Sequence, residues 1–70
     1  MKVAEYINKV IEDQGRNKTW VADRCEINYK TFVDKLKNNR FTADDLLKVS
    51  KVLNINLENM KEELKWKLKL

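Results

Sequence analysis

Apolar residues recur along this chain at helical spacing, and short polar clusters interrupt them at regular points. Val3, Ile7, Val10 and Ile11 form one stripe, with Ala4 beside it, and predict a first helix over residues 2–14. Gly15 stands where a left-handed cap is wanted. Asn17 predicts the cap of a short second helix through residue 24, in which Val21 and Ala22 make a small apolar pair and Cys25 follows one turn later. Glu26 occupies a turn where glycine would be easiest: either it takes a left-handed conformation, at a cost of about 1–2 kcal/mol, or the turn is built differently. Ile27 plugs the turn. Asn28 then caps a third helix through residue 37, with Phe32, Val33 and Leu36 inward.

The second half repeats this grammar. Asn38, Asn39 and Arg40 form a polar loop that Phe41 anchors. Thr42 opens a fourth helix, and Asp45 completes a capping-box pair with it. The apolar positions of that helix are Leu46, Leu47, Val49, Val52 and Leu53. Asn54 is a left-handed stop, Ile55 a core plug, and Asn56 the cap of a fifth helix with Leu57, Met60 and Leu64 inward. The tail is ambiguous. Leu64, Trp66, Leu68 and Leu70 alternate with Lys65, Lys67 and Lys69, the period of a strand, yet Leu64 and Leu68 also continue the helix before them. A strand needs a partner, and a second copy of the chain is the simplest one.

Composition narrows the class. With 70 residues, no proline, one glycine, one cysteine and no histidine, the chain reads as one all-α domain, its core at about residues 3–64. An internal disulfide is ruled out, and the usual metal-ligand pairs are missing. A lone core of this size supplies only a few kcal/mol, so self-association would help. No apolar run approaches the ~18 residues of a membrane span, and the expected location is the cytoplasm. The net charge is +4, and its placement is informative: residues 16–40 hold seven basic and three acidic side chains, whereas residues 1–15 are net negative.

That basic segment contains the short helix, tight turn and third helix. Small Ala22 lets two helices approach closely at a steep crossing. Such a corner pushes Asn28, Tyr29 and Lys30 outward, and a protruding polar, basic helix start suits the DNA major groove. The pattern is that of a helix-turn-helix.

The stretches VADRCEINYKTFVDKL and KNNRFTADDLLKVSKVLNINLENM resemble the lambda-repressor-like family, of the Cro and repressor type, over about residues 3–64. The second stretch is the more specific, because helix, stop, plug, cap and helix all fall at the family spacing. The resemblance implies a compact five-helix domain whose second and third helices form the helix-turn-helix. It also implies a sequence-specific regulator of transcription, a repressor, from a phage, plasmid or other mobile element. Two departures stand out: Glu26 replaces the usual turn glycine, and Asp34 places an acid on the exposed face of the third helix.

Carried over by position, the resemblance implies base contacts from Asn28, Tyr29, Lys30 and Asp34. Lys30 would donate to guanine N7/O6, Tyr29 would meet a thymine methyl or a phosphate, and Asp34 would accept from cytosine N4. The competing reading of Asp34 is an intrahelical pair with Lys30 or Lys37. Expected phosphate contacts are Arg16, Asn17, Lys18, Lys37, Asn38, Asn39 and Arg40; the alternative for the last four is a solvated loop. Trp20 either serves a partner or packs against the first helix or Tyr6. Cys25 reads as a core thiol rather than a reactive one. Asp44 and Asp45 suit the positive end of a helix dipole and need no catalytic role. Neither a nucleophile with its base, a phosphate-cradling glycine loop, nor a metal motif appears, so an enzyme and a cofactor are not expected. A homodimer joined through Leu64, Trp66, Leu68 and Leu70 is the expected assembly on DNA. Two rivals remain: a module of the same fold that binds a protein partner, as an inhibitor or adaptor, and a cationic tail that touches membranes.

Overall fold

Apart from the end of α5, each helix boundary among the described residues traces to one side chain or one left-handed residue. The computed structural model describes residues 2–64, which form α1 (Val3–Asp13), α2 (Lys18–Arg24), α3 (Tyr29–Asn38), α4 (Ala43–Leu53) and α5 (Leu57–Leu64). Among the described residues there is no strand. The Cα radius of gyration is 11.6 Å, close to the ~11 Å of a compact chain of this length. No described helix is long and apolar enough to cross a membrane.

Four helices start on the expected caps. Asn17 Oδ1 accepts the Trp20 N–H at 2.7 Å, and Asn28 Oδ1 accepts the Lys30 N–H at 2.9 Å. Thr42 Oγ1 accepts the Asp45 N–H at 3.2 Å while Asp45 Oδ2 accepts the Thr42 N–H at 3.0 Å, closing the capping box. Asn56 Oδ1 accepts the Glu58 N–H at 2.9 Å. Each cap satisfies N–H groups that the first helical turn leaves without partners.

Four helices also end alike. Gly15, Glu26, Asn39 and Asn54 all take positive φ, between 53° and 67°. The residue after each donates its N–H five residues back: Arg16 to Ile11, Ile27 to Ala22, Arg40 to Lys35, Ile55 to Ser50, at 2.8–3.0 Å. This is the Schellman closure, and its customary apolar residue explains why Ile27 and Ile55 pack on the core. Only Glu26 bears a strained residue type there. Glu26→Gly is therefore expected to stabilise the domain by about 0.5–1 kcal/mol, the relief of the left-handed penalty less glycine's entropy. A urea midpoint at or below that of the parent would contradict it.

The core gathers Ile7 and Ile11 of α1, Val21 and Ala22 of α2, Cys25, Phe32 of α3, and Val49 and Leu53 of α4, with Met60 of α5 also buried. Fully buried Phe32 meets Phe41 edge to face, with ring centroids 5.9 Å apart and planes at 72°. Ties over long sequence distance complete the frame. No side chain of its own caps α1; instead the Ala4 N–H donates to Asn39 Oδ1 at 3.0 Å. Gln14, just past α1, donates from Nε2 to the Leu53 carbonyl at 2.6 Å and so caps the end of α4.

Two packing expectations need correction. Val33 is only half-buried and lies outside the core, at the rim of a groove. Leu47 is 52% exposed, because the buried stripe of α4 runs Asp45–Val49–Leu53, which turns Leu47 to the outer face. The inward side chains expected at Leu57 and Leu64, and the tail with Trp66, Leu68 and Leu70, lie outside the described residues.

Candidate nucleic-acid interface

With Phe32 pointing into the core, helical geometry puts Lys30, Asp34 and Lys37 roughly 140–200° away around α3, on its outward face. All three are exposed, and Tyr29 at the helix start is 48% exposed. The Asn28 cap and the Ile27 plug hold the first turn in this attitude, so Tyr29 and Lys30 reach solvent from a fixed backbone. Asn28 Oδ1 is occupied by the Lys30 and Thr31 N–H groups, which leaves its amide donors for other work.

The polar loop is more tightly organised than a solvated stretch. Asn39 turns the chain left-handed and fastens it to the start of α1. Asn38 Nδ2 donates to the Asp34 carbonyl at 3.2 Å and to Asp34 Oδ1 at 2.7 Å. Arg40 lies with Nη1 3.8 Å from Asp34 Oδ2. Asp34 thus finds its partners in Asn38 and Arg40 rather than in Lys30 or Lys37. The Asn39 oxygen serves the fold, and the Asn38 amide donor is held on Asp34. Lys37 and Arg40 are the expected loop contacts with cationic groups open to solvent.

At the other edge, Lys18 of α2 and Lys37 of α3 flank one shallow groove of about 230 Å³, lined also by Val33, Leu36, Ala4 and Glu5. Two cations far apart in sequence are thereby brought onto one surface. Asn17 spends its side chain on the α2 cap.

Arg16 is drawn elsewhere. Its guanidinium lies 4.3 Å from the centroid of the Trp20 ring, and that of Arg24 lies 5.2 Å from the same ring. Trp20 packs partly on the core. The involvement of Arg24 was not expected, although the spacing of four residues on either side of Trp20 is a signal for it.

Sequence reasoning also missed the Lys35–Asp45 ion pair, 2.6 Å between Nζ and Oδ2, with both side chains more than four-fifths buried. Burial acts to raise the Asp45 pKa, but the hydrogen bond from Lys35, the two bonds of the capping box and the Lys35 charge outweigh it, so the carboxyl titrates below the ordinary range. Burial pushes the Cys25 thiol up, against the opposing charge of Lys48, which suits a core thiol. Among the described residues no group of His, Cys, Asp and Glu side chains is placed to hold a metal ion.

No protein-family model, curated protein or solved structure matches the chain. What the face offers is chemical: aimed cationic and amide donors around one acid, with a phenol at the edge. Such donors suit oxyanions and the acceptor edges of bases.

Proposed function

We propose that the protein is a sequence-specific double-stranded DNA-binding regulator of transcription, a repressor of a phage, plasmid or other mobile element, with α2 and α3 as its helix-turn-helix. The observation that carries this reading is the outward first turn of α3: Tyr29 and Lys30 stand in solvent on the helix that buries Phe32, the same helix carries exposed Lys37 across a groove from Lys18, and Arg40 follows in the loop. Lys18, Lys37 and Arg40 supply affinity through phosphates; Tyr29, Lys30 and the amide of Asn28 read bases in the major groove. Occupying a promoter excludes polymerase and represses in the cytoplasm. One domain buries little surface, so tight binding calls for a homodimer on a palindrome with half-sites about 34–36 Å apart.

Fluorescence anisotropy with a random-sequence duplex tests the reading. Three neutralised phosphates give a log–log salt slope near −2.7 per monomer, so affinity should fall about 40-fold between ~50 and ~200 mM salt. Lys30→Ala is expected to relax base preference, and Lys37→Ala to weaken all sequences alike, lowering the slope by about 1. Absence of binding at low salt would overturn the proposal.

One observation favours a second reading, a module that docks an acidic protein segment. Arg16 and Arg24 are held over Trp20 and have no carboxylate partner among the described residues; tryptophan and arginine are the residues most often dominant in protein interfaces. The same titration separates the two, since this module would show no salt-dependent grip on duplex.

A further inference from the structure

We propose that Asp34 sets the sequence discrimination of this face by acting as an internal counter-ion whose partners, Arg40 and Asn38, only a base bearing an amino group can replace. The inference rests on the DNA-binding reading and specifies how its site rejects the wrong sequence.

Asp34 is the sole acid of α3. Lys30 lies one turn before it and Lys37 one turn after. Its carboxylate is engaged on both oxygens, accepting from Asn38 Nδ2 at 2.7 Å on Oδ1 and pairing with Arg40 Nη1 at 3.8 Å on Oδ2. The groups it holds are the donors that the loop would offer to a DNA backbone. The side chains of Arg40 and Asp34 are 70% and 52% exposed, and a pair this open adds little to the stability of the fold. Its consequence falls on binding.

On any duplex, the carboxylate repels phosphate and competes for Arg40 and Asn38, so every sequence meets the same penalty. A base pair that presents an amino group in the major groove, cytosine N4 above all, offers the carboxylate a donor in return. Asp34 then accepts from the base, and Arg40 and Asn38 are released to the backbone. Base recognition and phosphate grip become one exchange. The penalty is general and the compensation is local, so discrimination arises from rejection of wrong sites as much as from attraction to the right one.

The test compares the parent chain with Asp34→Asn, using anisotropy on the random-sequence duplex at ~50 and ~200 mM salt and sequence enrichment from a randomised duplex pool. The exposed, near-isosteric change keeps an oxygen for Asn38 and should leave the fold intact, checked by circular dichroism. Asp34→Asn is expected to bind random duplex about 3–10-fold tighter, the effect of one charge removed from the contact face. Enriched sequences should lose a cytosine preference at one position, because an amide donates as well as accepts. In an Arg40→Gln background the gain should shrink, since the released guanidinium is gone. Random-duplex binding unchanged or weaker in Asp34→Asn, an enrichment profile identical to the parent's, or a gain undiminished by Arg40→Gln would overturn the inference while leaving DNA binding in place. If the parent chain itself fails to bind at low salt, the DNA-binding reading fails and takes the inference with it.

Discussion

Phe32→Ala is expected to leave the domain largely unfolded at room temperature. Phe32 is fully buried where α1, α2, α3 and α4 meet, and Phe41 packs edge-on against it. Truncating such a phenylalanine costs about 3–5 kcal/mol through lost transfer energy and the cavity left behind, and the aromatic pair adds about 0.5–1.5 kcal/mol to the loss. A single core in a chain this short supplies only a few kcal/mol in total. The two are of the same size, so one substitution suffices. Circular dichroism melts check it: with 1 kcal/mol worth roughly 4–8 °C in a domain of this size, a cooperative transition within a few degrees of the parent would show that Phe32 does not join the helices. Phe32 also orients α3, since the residues offered to DNA stand on the opposite side of the same helix. Loss of DNA binding in this variant is therefore expected to track loss of structure.

Asp45→Asn should cost about 1.5–3 kcal/mol at neutral pH, and the deficit should shrink in acid. The amide keeps an oxygen for the Thr42 N–H but loses the charge that Lys35 answers at 2.6 Å. The sign follows from linkage. Asp45 has a folded pKa below its unfolded value of about 3.9, so its contribution is fully present above about pH 5. It declines as pH falls through 4 toward the depressed folded value. Urea titrations of both proteins at neutral pH and near pH 3 measure this. A difference that stays constant between the two would show that the ion pair contributes nothing dependent on charge.

Those two residues also mark where the sequence was legible. Phe32 announced itself by its spacing from Asn28 and Leu36, and burial was the simple outcome. Asp45 was readable as the partner of Thr42 three residues away, but its bond to Lys35 was not, because nothing local says that the last turn of α3 passes the first turn of α4. The same holds for Asn39. It reads as part of a polar loop; the structure turns it left-handed as it does Gly15 and Asn54, and its side chain reaches Ala4 across 35 residues. Helical spacing offers Asp34 the side chains of Lys30 and Lys37, and the structure brings Arg40 and Asn38 to it instead. Leu47 looked like one more apolar position of α4 until Asp45 proved to hold the buried stripe at its start.

What the chain determined unaided was therefore local: four side-chain caps, the left-handed stops at Gly15 and Asn54, the two isoleucine plugs and the periods that put Ile7, Ile11, Val49 and Leu53 inside. Each depends on groups no more than five residues apart, whose geometry any helix imposes. What only tertiary structure decided was which charges meet: Lys35 with Asp45, Lys18 beside Lys37, Arg16 and Arg24 over Trp20. Those distances follow from how packed helices cross, and a crossing is set by the whole core at once rather than by the residues that end up facing each other across it.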